Sequence, residues 1–326
     1  MPIEVAEWRE ILRVLRETCK IWSPGLDRSH YNLYISRQLG HPWARKNYRF
    51  FVYKVKGAIV ASCKLYTMEL RARSRGYKFA GVAAVYTMEA HRGLGYASRL
   101  IEEVIELAGR EGFAGLYLFS DIGAEFYERL GFSLAGNREF RIELPDEGAG
   151  DRLLGEAGGG EATAPLEQLT FPAEPACIPF LDRHYQRWLA RQPLGVGRSP
   201  EYWSYKISRE LYLHRHSSWS WPALEVTTTG AGDGYALMEH GSGTLRVLEV
   251  VGTAEAVPQL WRQLLVIALA RKSRRLRGWE SVLPPVLSGA PLNERSWGWP
   301  MILPLAAEAS GWFRLDPCPL LELDHL

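Results

Sequence analysis

The chain has 326 residues, of which 47% are hydrophobic and 23% charged, and its formal net charge is +2. This composition is typical of globular proteins, and the length predicts two domains of ordinary size. Because the charge is close to neutral, we expect no nucleic acid as a partner. The four cysteines are far apart, which excludes a disulfide scaffold or a zinc ribbon and favours a reducing cytoplasm; we expect no metal site.

Membrane insertion and secretion are not expected either. No apolar stretch reaches the roughly 18 residues of a membrane span, and the amphipathic N-terminus does not resemble a signal peptide. The tryptophans are unevenly distributed, since only three of the twelve precede residue 164, namely Trp8, Trp22 and Trp43. The two halves of the chain therefore differ in composition, which predicts that they have different tasks.

The first half predicts a mixed α and β domain. Apolar residues at three- and four-residue steps indicate an amphipathic N-terminal helix: Val5, Trp8, Leu12, Leu15 and Cys19. A β-hairpin follows, in which the turn Lys56-Gly57 joins strands at 48–55 and 58–66. After a basic loop at 71–75, an apolar strand with small residues is predicted at 79–87, as a buried sheet position would require.

A helix and further strands continue from this strand. The pattern at 94–110 is helical, and Gly112 is a natural stop. The apolar face of this helix consists of Leu100, Ile101, Val104, Ile105 and Ala108. The remaining elements are predicted as a strand at 116–119, a short helix at 122–130 and two strands within 133–144.

A glycine-rich segment divides the chain. The sequence from Asp146 to Gly160 has few large apolar residues and predicts a linker or loop. We therefore divide the chain into a first domain at 1–145, a linker or loop at 146–165 and a second domain at 166–326. The second half predicts helices at 179–191, 200–213 and 256–271 and strands at 223–228, 235–239, 245–251 and 279–283.

The most informative segment is Tyr86-Thr-Met-Glu-Ala-His-Arg-Gly-Leu-Gly-Tyr-Ala-Ser98, between a predicted strand and a helix. Two glycines let the backbone approach a ligand, and the N–H groups that begin the helix form an anion cradle beside Arg92. A pyrophosphate is the expected ligand, and a glycine turn with a solvated arginine is the alternative. A Walker A loop is excluded because its lysine is missing, and a dinucleotide motif is disfavoured because a β-hairpin precedes the segment.

Arg92-x-x-Gly95-x-Ala97 after an internal strand resembles the acyl-CoA pyrophosphate loop of the GNAT superfamily of N-acyltransferases. The segment from Phe126 to Phe132 is similar to a second GNAT signature, in which a tyrosine stands four residues before Gly-Phe. Both signatures lie in the right order and at the right separation within residues 45–144. The resemblance implies an α+β GNAT fold, with a mixed and mostly antiparallel sheet flanked by helices, and acetyl-CoA as cosubstrate.

The resemblance also implies roles for individual residues. The CoA pyrophosphate would bind to the backbone of the glycine loop, and the pantetheine arm would lie in a gap between the strands at 79–87 and 116–119. Tyr127 falls at the position whose phenol protonates the departing CoA thiolate, which a phenol with a pKa near 10 can do; a buried core aromatic is the alternative. The resemblance assigns to CoA binding Val85, Thr87, Arg92, Gly93, Leu94, Gly95, Tyr96, Ala97 and Ser98.

The resemblance does not select the general base that amine acylation requires. Glu89 is the candidate that we carry forward, with Glu69, His91 and His30 as alternatives, and for each of them a solvated surface residue is the favoured interpretation. The predicted reaction is acetyl transfer to a primary amine of a small molecule or peptide, by direct attack in a ternary complex. The alternative is a non-catalytic acyl-CoA sensor, which would need no acid at the thiol.

The second half resembles the GNAT core without its loop, because Gly252-Thr-Ala-Glu-Ala-Val-Pro258 replaces Arg-x-x-Gly-x-Ala. We therefore predict a degenerate second GNAT-like domain, an arrangement similar to the tandem Eis-like proteins; fungal lysine N-acetyltransferases are a looser resemblance. The pairs Trp219/Trp221 and Trp297/Trp299 predict core packing or a subunit interface in a homodimer, with an amine-binding cage as the alternative. The basic run at 271–277 predicts a solvated helix end.

Overall fold

The computed structural model describes residues 3–72, 75–136, 138–144, 169–170, 177–219, 222–284, 287, 289–311 and 320–325. Within these ranges the chain forms two mixed β-sheets with helices packed on their faces, which is the α+β architecture that the sequence predicted. The segment predicted as a linker, 146–165, lies outside the described residues.

The helices are divided between the two sheets. In chain order they are α1 (Trp8–Trp22), α2 (Arg28–Gly40), α3 (Pro42–Asn47), α4 (Tyr96–Arg110), α5 (Glu125–Glu128), α6 (Ile178–Leu189), α7 (Pro200–His216) and α8 (Ala256–Ala270). α4 packs on one face of the first sheet, and α1, α2, α3 and α7 bury their apolar residues on its other face. α6 and α8 pack against the second sheet.

The first sheet contains β1 (Ile3–Val5), β2 (Tyr48–Val55), β3 (Ala58–Ala72), β4 (Arg75–Thr87), β5 (Gly115–Ser120), β6 (Ser133–Leu134), β9 (Gly195–Gly197) and β15 (Trp299–Pro304). Its strand order is β1-β2-β3-β4-β5-β15-β6, and β9 pairs with β3. β4 and β5 are parallel, while the other neighbours are antiparallel. α4 is therefore the crossover between two parallel strands at the centre of the sheet.

The second sheet contains β7 (Arg138–Glu143), β8 (Leu169–Thr170), β10 (Leu224–Thr228), β11 (Gly234–Gly241), β12 (Thr244–Gly252), β13 (Arg275–Trp279) and β14 (Leu292–Glu294). Its strand order is β14-β7-β13-β12-β11-β10-β8. β12 and β13 are parallel and are joined by α8, so they repeat the unit formed by β4, α4 and β5. This repeat agrees with the predicted second GNAT-like domain.

Several local predictions are confirmed. The hairpin turn lies at Lys56-Gly57, where both residues have positive φ values of 48° and 78°. The apolar face of α4 is buried as predicted, with Leu100 and Val104 fully inside. Ser199 caps α7 by accepting a hydrogen bond from the N–H of Tyr202. These features depend on side-chain periodicity and on turn or cap chemistry, which short sequence segments specify.

Other local predictions are wrong. α1 buries Ile11, Val14, Leu15 and Thr18, whereas Val5 and Trp8 from the predicted face are 60% and 42% exposed. Arg71, Ala72 and Arg75 of the predicted basic loop belong to strands, because the hairpin of β3 and β4 extends to its tip. The helix predicted at 122–130 covers only Glu125–Glu128. The strand predicted at 279–283 lies earlier, at Arg275–Trp279, and a 3-10 turn follows it.

The two sheets exchange strands across the predicted domain boundary. β7, which precedes the boundary, pairs with β13 in the second sheet. β15, which the sequence did not predict, pairs with β5 and β6 in the first sheet. α2 was also not predicted, and it buries Tyr31, Tyr34 and Ile35. The division at 146–165 stays a prediction, but the first sheet takes β9 and β15 from the second half of the chain, and the second sheet takes β7 from the first half.

Candidate functional site

β4 and β5 are paired over only part of their length. Parallel pairing extends from Phe79 opposite Gly115 to Val82 opposite Leu118. Beyond Val82, β4 continues to pair with β3, and a register shift in that pairing coincides with Ala84, whose φ is +48°. An alanine in this left-handed conformation costs about 1–2 kcal/mol, and such a bulge bends a strand. The ends of β4 and β5 therefore separate at the positions predicted for the pantetheine gap.

The glycine loop follows the end of β4 and leads into α4. Gly93 and Gly95 have φ values of +77° and +75°, and Gly95 occupies the position before the first helical residue. A Cβ atom added at either glycine would meet no atom within 4 Å. α4 has neither a side-chain cap nor an acidic residue in its first turn. Its first N–H groups therefore face open space, as an anion-binding helix N-terminus requires.

Arg92 lies at the start of this loop and contacts the end of β4. Its Nη2 donates to the hydroxyl of Tyr86 at 3.2 Å, and its guanidinium carbon lies 5.5 Å from the centroid of that ring. The Tyr86 hydroxyl donates to Glu17 of α1 at 3.1 Å, and the same carboxylate accepts from the N–H of Glu89 at 3.0 Å. Burial and the carboxylate of Glu17 raise the pKa of Tyr86. Glu17 was not predicted from the sequence, because nothing in the pattern of α1 distinguishes it from a solvated residue.

Tyr127 is buried in the core between the first sheet and α4. It is 7% exposed, and its ring makes edge contacts with Phe126 and Phe132. Its backbone carbonyl accepts from the N–H groups of Leu130 and Phe132, which fixes the turn after α5. Burial raises the pKa of the Tyr127 phenol well above its ordinary value of 10. The phenol is therefore neutral and protonated at physiological pH.

The candidate bases are dispersed. Glu89 is exposed on a 3-10 turn beside the glycine loop. Glu69 lies towards the other end of β3 and pairs with Arg71 at 2.5 Å. His91 contacts the Tyr96 ring edge-on. His30 Nδ1 donates to the carboxylate of Asp27 at 3.0 Å, and its ring stacks on His216. Of these four residues, Glu89 and His91 lie next to the loop.

Two further features bear on the site. A cleft of about 640 Å³ lies at the opposite end of β3 and β4, where Glu69, Tyr77 and Lys78 contribute to its lining. This cleft is separate from the glycine loop.

In the part of the chain that the structure describes, no group of three or more His, Cys, Asp or Glu side chains is arranged to hold a metal ion. No described helix is both long and apolar enough to cross a bilayer.

A comparison with family models finds a match in the N-terminal region. Residues 8–132 match the family model described as "Acetyltransferase (GNAT) family". The match contains the strand gap, the glycine loop and Tyr127. A comparison with curated proteins found no match.

Solved structures share the fold over most of the chain. A GCN5-related N-acetyltransferase from Kribbella flavida superposes with a TM-score of 0.66 and 17% identity, over 95% of this chain and 72% of that chain. Eis1 from Mycobacterium abscessus superposes with a TM-score of 0.57 and 18% identity, over 81% of this chain and 66% of that chain. Saccharomyces cerevisiae N-myristoyltransferase with bound myristoyl-CoA superposes with a TM-score of 0.52 and 9% identity, over 93% of this chain and 79% of that chain. At these identities the similarity establishes the fold.

Proposed function

We propose that this chain transfers an acetyl group from acetyl-CoA to a primary amine of a small molecule or peptide. Its residues 8–132 match the GNAT acetyltransferase family model, which supports this proposal. The observation that carries the proposal is the separation of β4 from β5 beside the glycine loop that precedes α4. An unpaired strand edge suits the amides of an extended pantetheine arm, and a free helix N-terminus suits a pyrophosphate.

The backbone supplies most of the proposed CoA site. Val85 and Thr87 are partly exposed on the stretch of β4 that has left β5, so their backbone groups are available to pantetheine. The pyrophosphate would accept hydrogen bonds from the loop and the first turn of α4, that is from Gly93, Leu94, Gly95, Tyr96, Ala97 and Ser98. Arg92 would turn from Tyr86 towards the phosphates, since its side chain is exposed.

In the proposed reaction the amine attacks the thioester within a ternary complex. The amine nitrogen bonds to the carbonyl carbon as the carbon–sulfur bond breaks, and Tyr127 gives its phenolic proton to the thiolate. The acylated nitrogen releases its extra proton to solvent, which leaves a neutral amide. The phenol then regains a proton from solvent. Before attack, the substrate ammonium must lose a proton to a base. Glu89 and Glu17 are the candidates, because Glu89 follows the end of β4 and Glu17 of α1 accepts hydrogen bonds from Tyr86 and Glu89 there. We place this reaction in the cytoplasm.

Replacing Tyr127 by phenylalanine tests the proposed acid. We expect Tyr127→Phe to lower kcat about 100-fold or more, the usual contribution of general acid catalysis, with little change in the Kd of acetyl-CoA. Tyr53→Phe is the matched control, because Tyr53 is 8% exposed in the same core cluster. The measurement is release of free thiol from acetyl-CoA in the presence of a panel of amines.

Three results would contradict the proposal in different ways. If Tyr127→Phe turns over at the parent rate, Tyr127 is not the acid. If both tyrosine variants lose activity equally, the effect is structural. If acetyl-CoA binds but no amine in the panel yields free thiol, the chain is a sensor of acyl-CoA rather than an enzyme.

A further inference from the structure

A group of polar side chains lies on the face of the first sheet opposite to α4. Ser62 and Lys64 are two residues apart on β3 and therefore point to the same side of the sheet. Lys64 is paired with Ala83, the residue directly after the last pair between β4 and β5. The side chain of Lys64 thus belongs to the sheet face opposite α4, at the level where β4 leaves β5.

Neighbouring elements bring further hydrogen-bond donors to this position. The Nζ of Lys64 lies 6.0 Å from the ring centroid of Tyr48 on β2. Arg209 of α7 covers this face of the sheet, with its guanidinium carbon 5.8 Å from the ring centroid of Tyr205. The Tyr205 hydroxyl donates to Oε1 of Gln38 at 3.2 Å, which leaves the amide nitrogen of Gln38 as a donor. We call the following residues the donor cluster: Gln38, Tyr48, Ser62, Lys64 and Arg209.

The two cations of the donor cluster act on each other. Burial and the charge of Arg209 lower the pKa of the Lys64 ammonium from 10.5 to about 7. Glu210, the neighbour of Arg209 on α7, acts on Arg209, but among the described residues no carboxylate contributes to the shift of Lys64. Both cationic side chains remain partly exposed, so a ligand can reach them. An anion between them would relieve their repulsion.

Arg209 Nε donates to the hydroxyl of Tyr34 at 3.4 Å, whereas three other donors of the cluster lack acceptors. Within the described ranges, the Gln38 amide nitrogen, the Tyr48 hydroxyl and the Ser62 hydroxyl have no hydrogen-bond partner, although none of these residues is more than 6% exposed. Unpaired buried donors destabilise a fold and call for an explanation. Arg198 shows the usual solution in this protein, since its fully buried guanidinium binds two carboxylates, those of Glu249 and Asp324.

We propose that the donor cluster binds a carboxylate of the acceptor, so that the amine acetylated by this chain belongs to a molecule with an acid group, as in an amino acid. This inference rests on the proposed acetyl transfer. The carboxylate would lie between Lys64 and Arg209, and the hydroxyls of Tyr48 and Ser62 would donate to it. The amino group of the same molecule would then extend to the gap beyond Ala83, where the thioester is delivered.

The test compares amines that differ only in the carboxylate. For the complete chain we expect kcat/KM to be about 30-fold higher for 5-aminopentanoate than for pentylamine, with most of the difference in KM, as charge-assisted hydrogen bonds away from the reacting atoms would give. In Lys64→Met this preference should fall at least about tenfold, while the Kd of acetyl-CoA stays the same. Lys20→Met, at an exposed position of α1, is the control and should keep the preference.

Stability separates a binding role of Lys64 from a structural one. Because Lys64→Met removes a poorly solvated charge, its melting temperature should equal or exceed that of the parent chain. A clear fall in melting temperature together with lost activity on both amines would overturn the proposal, since Lys64 would then be structural. So would an absence of preference in the parent chain, or a preference that survives in Lys64→Met.

Failure of the acetyl transfer itself has a different signature. If neither amine yields free thiol, the proposed function fails, and binding of pentanoate then tests the donor cluster separately. Calorimetry should show pentanoate bound to the parent chain and bound at least tenfold more weakly to Lys64→Met. Equal binding of pentanoate by the two proteins would overturn the assignment.

Discussion

Replacing Gly95 by valine separates the proposed CoA loop from its structural role. Gly95 has a φ of +75°, and a Cβ there would meet no protein atom within 4 Å. The substitution therefore costs the strain of a β-branched residue in the left-handed region, about 1–2 kcal/mol, without a steric clash. For a chain of this size that strain lowers the melting temperature by a few degrees, so the variant stays folded.

The effect on acetyl-CoA should be larger than the effect on stability. The valine side chain would occupy the open space from which the pyrophosphate approaches the loop, so we expect at least one charge-assisted hydrogen bond from the backbone to be lost. At about 2 kcal/mol for such a bond, the Kd of acetyl-CoA should rise about 30-fold. Calorimetric titration of the folded variant with acetyl-CoA measures this change directly.

The chain provides a matched control for the strain. Gly57, in the hairpin turn of β2 and β3, has a φ of +78° and also has no atom within 4 Å of an added Cβ. Gly57→Val should therefore lose a similar amount of stability and retain the parent affinity for acetyl-CoA. If the two variants bind acetyl-CoA equally, the loop at Gly95 does not hold the pyrophosphate and the reasoning is refuted.

Two further predictions concern stability. Arg198→Met leaves Glu249 and Asp324 as unpaired buried carboxylates, so the free energy of unfolding measured in urea should fall by about 3–5 kcal/mol. Arg9→Met breaks only an exposed ion pair and should change the free energy of unfolding by less than about 1 kcal/mol. Equal effects of the two substitutions would contradict this expectation. Burial lowers the pKa of His325 from 6.5 to about 3. Below pH 6.5 the unfolded chain therefore takes up a proton that the folded chain excludes. Between pH 7 and pH 5 the free energy of unfolding should fall by about 2 kcal/mol more in the parent chain than in His325→Phe. Parallel urea titrations at the two pH values measure the difference, and equal losses would show that His325 titrates normally.

Most of the proposed CoA site could be predicted from a short stretch of sequence. Gly93 and Gly95 adopt positive φ values, and the helix begins directly after them. These features are local, because a glycine spacing and the periodicity of the following helix specify them within about 25 residues. The bulge at Ala84 was not predicted, since alanine has no preference for that conformation and only the pairing with β3 and β5 imposes it.

The proposed acceptor side of the site could not be predicted in the same way. Lys64 and Tyr48 come from the hairpin, Gln38 comes from a helix that the sequence analysis missed, and Arg209 comes from the other half of the chain. Each of these residues by itself resembles an ordinary polar position of its element. What distinguishes them is that tertiary packing brings them together with few hydrogen-bond acceptors. The periodicity of the sequence contains no information about that packing.

By itself the sequence determined the two segments that resemble GNAT signatures and the uneven distribution of tryptophan. Only the tertiary structure decided how the halves combine: Trp43 of the first half packs against Tyr202 and Tyr205 of the second, 4.9 Å and 4.7 Å between ring centroids. In the same way, β15 completes the first sheet beside β5 from the far end of the chain. Turns, caps and helical faces depend on neighbours in sequence, whereas strand partners and buried clusters depend on which surfaces the folded chain brings together.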